Sequence, residues 1–153
     1  MLAHNLNKQV KTIELALQQA LGARTDYQRL TAVNGIGNIL ALTILLETGD
    51  ILRFPRVGDY TSYCRCVKTE RLSNDKKKGS GNRKCGNKYL SWAYSEAAHF
   101  MLRYEPTVKR FYERKRQKTN GLVAIRATAH KIARAFYHVL RDQTAFDVHK
   151  AFP

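Results

Sequence analysis

The sequence predicts an all-α fold, and three observations carry that expectation. Apolar residues recur at helical spacing in several separate segments. Gly, Asn-Gly and Glu-Pro punctuation falls between those segments, where helices stop and start. A 44% apolar content in 153 residues is enough to bury a core.

In chain order, the first helix runs from Asn7 to Leu21, with Val10, Ile13, Leu15, Leu17 and Leu21 near helical spacing and Gly22 where a C-terminal cap would stand. It is too short to define a coiled coil by itself. A short helix through Leu30 and Val33 then reaches Asn34-Gly35-Ile36-Gly37, and a second apolar helix spans Ile39 to Thr48 and stops at Gly49. Two helices around a Gly-x-Gly turn read as a helix-hairpin-helix-like element. In such a turn Gly35 and Gly37, with Asn38 behind them, can point backbone N–H groups at a phosphate; the plainer reading is a turn between two core helices.

Another short helix is expected between Leu52 and Val67. The composition then changes: Lys68, Arg71, Lys76, Lys77, Lys78, Arg83, Lys84 and Lys88 stand against Glu70 and Asp75, with Gly79, Gly81 and Gly86 among them. This reads as a flexible, basic, glycine-rich loop. Helical order resumes in KYLSWAYSEAAHFMLRY, continues after Pro106 through Thr119, and is expected to end at Asn120-Gly121. The last helix, Leu122 to about Arg141, has Ile125, Ala129, Ile132, Phe136 and Val139 on one stripe, with a loosely packed tail after it.

Charge points to the partner. With 27 Lys and Arg against 12 Asp and Glu, the net charge is +15, which implies a polyanion. Nucleic acid leads, because each neutralised phosphate releases counterions. A membrane surface is the weaker candidate, and no apolar run approaches the roughly 18 residues of a span. Three cysteines, Cys64, Cys66 and Cys85, with no secretion signal favour a reducing, cytoplasmic setting over a disulfide framework. Their spacing does not suit a zinc knuckle, and no metal site is expected.

Two loop serines could carry phosphodiester chemistry, Ser73 in RLSND and Ser80 in KGSGN, since nearby cations stabilise developing charge. Composition does not choose between them. The basic face of the helix after Pro106, with Arg110, Arg114 and Lys115, adds a second candidate contact surface, and aromatics such as Tyr89, Trp92, Tyr94, Phe111 and Tyr112 either stack on bases or fill the core.

Taken together and in order, NGIGNILALTILLETGDILRF, YTSYCRCV, ERLSNDKKKGSGNRKCGNKYLSWAYSEAA, FYERKR and AHKIARAFYHVL resemble the C-terminal transposase domain of insertion-sequence family one hundred and ten, within it the subgroup numbered eleven hundred and eleven. The likeness covers about residues 26 to 152. It implies a DNA recombinase in which a RuvC-like domain with DEDD residues holds magnesium and a helical coiled-coil region leads to the serine-bearing domain. Residues 1–25 would then be the helical lead-in and 26–153 the serine domain. The resemblance implies a structured bridge RNA as guide, active sites assembled across protomers of a homo-oligomer, and a phosphoserine link to DNA. It assigns the nucleophile to Ser73 in Ser73-Asn74 ahead of Ser80.

The acidic residues are scattered singly, so the metal-binding half is expected elsewhere and this chain is read as a fragment, a truncated reading frame or an isolated domain. No histidine neighbours Ser73 in sequence, which leaves its activation open. The expectation is a transposase part that binds DNA near the nucleoid and does not cut by itself. The alternatives are a non-catalytic nucleic-acid-binding module, an inactive remnant, and a ribosome- or RNA-associated structural protein.

Overall fold

In the computed structural model, residues 1–67, 70–73, 76–80 and 85–153 are described, the two strands by their backbone alone. Among them are α1 (Leu2–Leu21), α2 (Thr25–Thr31), α3 (Asn38–Thr48), a 3-10 turn (Ile51–Arg53) and α4 (Val57–Tyr63). A strand pair follows, β1 (Glu70–Ser73) and β2 (Lys76–Ser80), then α5 (Lys88–Tyr104), α6 (Pro106–Lys118), α7 (Gly121–Arg141) and α8 (Val148–Ala151). The fold is helical, as the periodicity predicts. None of these helices is long and apolar enough to cross a membrane.

α7 is the central element, packing against α2, α4, α5, α6, α8 and the 3-10 turn. Its buried stripe contains Ile125, Ala129, Ile132, Phe136 and Val139, the set its period marks out. Opposite it, α5 buries Leu90, Ala93, Tyr94, Ala97, Ala98 and Met101. Both helices bury small residues, Ala93, Ala97 and Ala98 on α5 and Ala129 and Ala133 on α7, and the two elements pack against each other.

Polar groups inside this core are satisfied. Tyr60 Oη lies 2.9 Å from Thr48 Oγ1 and 2.6 Å from Tyr94 Oη, all three residues buried. The hydroxyls offset one another's desolvation, and burial holds both phenols well above their ordinary pKa, hence neutral. Edge-on ring contacts extend the cluster from Phe54 to Tyr60, Tyr94 and Phe136. Tyr137 Oη donates to the Phe54 carbonyl at 2.9 Å, joined by Arg141 Nη1 at 2.9 Å, tying α7 to the segment before α4.

The local signals differ from expectation in four places. α1 begins at Leu2 rather than Asn7 and buries no residue, so Val10, Ile13 and Leu15 face solvent and only Leu17 and Leu21 reach the core. Asn120 opens α7 rather than closing α6, its side chain accepting from the Val123 N–H at 2.9 Å. The tail is packed: Phe152 is buried against Phe111, Phe146 lies edge-on to Phe136, and Asp147 caps α8. Part of the segment expected as a loop pairs as antiparallel strands, because backbone ladders need no apolar alternation to form.

Two glycines are dictated by close approach. Gly35 has φ +94°, and a Cβ there would meet the Met101 backbone nitrogen at 2.9 Å. Gly86 has φ +99°, and its Cβ would meet the Tyr63 carbonyl oxygen at 2.5 Å. Gly37 has ordinary φ and open space around it. Gly35→Ala and Gly86→Ala are each expected to cost about 2–4 kcal/mol of stability, from left-handed backbone plus overpacking. Gly37→Ala should cost about 1 kcal/mol or less. Urea unfolding of the three variants checks this order, and equal costs at Gly35 and Gly37 would contradict the packing account.

Candidate nucleic-acid interface

Ser73 is the last residue of β1. It pairs with Lys76, while Leu72 pairs with Lys77 and Glu70 with Ser80, with a register shift between Glu70 and Leu72. The two serines are thereby separated by position: Ser73 stands beside the 74–75 connection and Ser80 at the opposite end of the ladder. Lys76, Lys77 and Lys78 lie on the partner strand, so the backbone brings three cationic residues to the same short hairpin as Ser73. Arg83 and Lys84 fall outside the described residues.

The core holds both ends of this segment together. The Asn87 N–H donates to the Tyr63 carbonyl at 2.7 Å, and Arg65 Nη2 donates to the Gly86 carbonyl at 3.1 Å. Asn87 Oδ1 caps α5, accepting from the N–H groups of Tyr89 at 2.9 Å and Leu90 at 3.0 Å. Its Nδ2 donates to Glu47 Oε2 at 2.6 Å on α3. One asparagine thus joins the end of α4, the start of α5 and α3. Asn87 was not singled out by sequence, although an Asn immediately before a helical run is a capping signal.

Cys64 and Cys66 sit at the same root. Burial pushes both thiols up, Cys66 to about 12, so neither is a thiolate at neutral pH and both are poor nucleophiles and metal ligands. Cys85 is exposed. Among the described residues no three His, Cys, Asp or Glu side chains come together as a metal site.

Gly35 and Gly37 do lie between two helices, but their roles divide. Gly35 is pressed on α5 at Phe100 and Met101, which is packing. Gly37 is the N-cap of α3 with no side-chain cap, and Gly37, Asn38 and Ile39 are exposed, which leaves the first turn of α3 open to solvent. Asn38 Oδ1 accepts from Tyr27 Oη at 3.0 Å, closing α2 onto α3. Lys88 begins α5 and Met101 stands thirteen residues on, so the serine hairpin and the Gly-x-Gly turn meet α5 about 20 Å apart.

On α6, Arg110, Arg114 and Lys115 are exposed while Val108 is buried, as a basic amphipathic helix requires. Phe111 and Tyr112 pack against the core instead of facing solvent. α7 adds two cations that the sequence reading passed over, Arg126 and Arg134, on either side of His130, which in AHKIAR reads as a candidate phosphate contact. Arg126, His130 and Arg134 follow at i, i+4 spacing, Arg126 and Arg134 exposed, and Arg126 is close enough to the root to act electrostatically on Cys66. Burial, then Arg134, lowers the His130 pKa. Lys131 is lowered by burial, Arg114 and Arg134, and donates to the Ala151 carbonyl at 3.2 Å between Phe111 and Phe152. The i, i+4 spacing was the available signal for this row.

The family described as "Transposase IS116/IS110/IS902 family" matches residues 27–113, which run from within α2 through α3, α4, the strand pair and α5 into α6. The chain is similar to the protein named "Insertion element IS110 uncharacterized 43.6 kDa protein" of Streptomyces coelicolor, with 25% identity over 144 residues. That match covers 93% of this chain and 35% of the relative, so the chain spans about a third of the relative's length.

Among the described residues Arg24 pairs with Asp26 and Arg116 with Glu113, while Arg110, Arg114 and Lys115 on α6 are exposed. Affinity for a 20-base-pair duplex, measured by fluorescence anisotropy across a salt series, is expected to fall with a log–log slope of roughly −4 or steeper, as for about five neutralised phosphates. A flat salt response would exclude the basic surface as the contact.

Proposed function

Because the chain belongs to the IS116/IS110/IS902 transposase family, we propose that it is the DNA-engaging, serine-bearing part of a transposase, with Ser73 as nucleophile in strand exchange. The observation that carries this reading is the position of Ser73 beside the connection of a lysine-bearing strand pair, with Tyr63 and Arg65 before the pair bonded to Asn87 and Gly86 after it.

In the proposed step the Ser73 hydroxyl oxygen attacks a DNA phosphorus, a serine–phosphate ester forms, and one phosphorus–sugar oxygen bond breaks. The serine proton ends on the departing sugar hydroxyl. One phosphodiester is exchanged for another, so no external energy source is required. Lys76, Lys77 and Lys78 supply positive potential where charge builds on the phosphate oxygens, and Arg83, Lys84 and Lys88 extend it. The open first turn of α3 at Gly37 and Asn38 offers backbone donors to a second phosphate of the duplex. Arg110, Arg114 and Lys115 on α6 hold backbone phosphates farther out.

This chain spans 35% of its relative, and on our reading the remaining catalytic groups lie in another domain of the complete transposase. That domain would hold magnesium and supply the base for Ser73. A structured guide RNA and assembly as a homo-oligomer belong to the same reading, and so does action at the nucleoid. The chain alone would then bind DNA without cutting it, which is also how a non-catalytic binding module would behave.

The two are separated by trapping. With the acidic domain and a nicked suicide DNA substrate, a serine-linked adduct is expected on the peptide containing Ser73, detected by mass spectrometry. Ser73→Ala should lower adduct yield by about a thousandfold or more while duplex affinity stays within about twofold. Ser80→Ala should leave the adduct. An adduct that survives Ser73→Ala would overturn the assignment.

A further inference from the structure

α5 turns an aromatic face to solvent. Its buried side is made of Leu90, Ala93, Tyr94, Ala97, Ala98 and Met101, and on the other side Tyr89, Trp92, Phe100 and Tyr104 are 52%, 48%, 37% and 60% exposed. With Glu96 between them, positions 89, 92, 96, 100 and 104 step by three or four residues, so they form one stripe along the helix. The stripe is about 22 Å long. Four large exposed rings in one row, with no aliphatic side chain among them, are not a core remnant.

Cations flank the row. Lys88 Nζ stands 4.9 Å from the Tyr89 ring centroid and Arg103 Cζ 5.5 Å from that of Phe100, and His99 is exposed alongside. Half-buried Glu96 on the mid-line disfavours a phosphate there and can accept from a base amino group. The pattern is therefore rings for bases in the middle and charges for phosphates at the edges. One end of the stripe adjoins Asn87, where the serine segment rejoins the core, and toward the other end Phe100 lies beside Gly35.

We infer that the exposed face of α5 is a stacking platform for single-stranded DNA, taking unpaired bases on Tyr89, Trp92, Phe100 and Tyr104 with Lys88 and Arg103 on the flanking phosphates. The inference rests on the transposase reading, and it deepens that reading by naming the strand opened for exchange as the occupant of this face. Stacking on aromatic rings tolerates any base sequence, as a strand-exchange protein requires. A second copy of the chain is disfavoured on this face, because it would bring its own Lys88 and Arg103 up to the same flanking cations.

Trp92 is the one tryptophan of the chain, so its fluorescence reports this face alone. Titrating the 153-residue chain with a 15-nucleotide oligo(dT) is expected to quench that fluorescence saturably, and a 15-base-pair duplex should bind without comparable quenching. By anisotropy of labelled DNA, Trp92→Ala is expected to weaken single-strand binding roughly tenfold and duplex binding by less than about twofold, with Trp92→Phe recovering most of the loss. Far-ultraviolet circular dichroism of both variants should match the parent, since the residue is exposed. Single-strand binding without quenching, or equal losses for both DNA forms, would overturn the inference while leaving the transposase reading intact. Tenfold tighter binding of the corresponding RNA, or Trp92 shielded from acrylamide by self-association before DNA is added, would also overturn it. Binding of neither DNA form would overturn both.

Discussion

The hydrogen bond from the Asn87 N–H to the Tyr63 carbonyl is the constraint on which the rest of the arrangement depends. It brings the end of α4 to the start of α5 and so fixes where the segment bearing Ser73 leaves and re-enters the core. Gly86 is required by that closure, since a side chain at this position would occupy the space of the accepting carbonyl. Asn87 adds a helix cap and a bond to Glu47 from the same side chain, coupling the root to α3. The buried Tyr60–Tyr94 contact, about one turn from the end of α4 and nearly two turns into α5, bridges the two helices behind the junction.

α5 is then the ruler of the candidate surface. The serine hairpin enters at its N-terminal end, the Gly-x-Gly turn is pressed on it near Met101, and its outer face carries the exposed rings. Its inner face is alanine-rich where it packs on α7, and α7 in turn presents Arg126 near the root. Burial of one helix face and presentation of the other are thus two consequences of the same residue pattern. On the proposed reading, the hairpin supplies chemistry, α5 supplies a strand-binding track, and the cations of α6 and α7 supply long-range attraction.

The helices were legible in the sequence to the extent that their faces are buried. α7 has a complete apolar stripe, and its period marked its buried residues correctly. α1 has equally regular apolar spacing, yet faces solvent along most of its length, because periodicity records a face without saying what covers it. Asn120 showed the limit of local rules: Asn-Gly fits both the end of one helix and the cap of the next, and only the hydrogen bond to Val123 decides. Phe146 and Phe152 were hidden in a short tail with no period to read, although two aromatics are ample reason for a tail to pack. The strand pair was obscured by its lysines, whose low strand preference is overridden by backbone pairing. For the candidate surface, charge announced an anionic partner, but separating Trp92 and Tyr89 from buried Tyr94 and packed Phe111 needed the fold.

Site-directed thiol capture tests the central claim most directly. With Cys85→Ser removing the exposed native thiol, Ser73→Cys would be offered duplex DNA carrying a disulfide-activated tether on one backbone phosphate. The account predicts rapid mixed-disulfide formation at position 73, suppressed by high salt and by unmodified competitor DNA. Capture at position 73 no faster than at a cysteine placed on exposed Gln19 of α1 would contradict it.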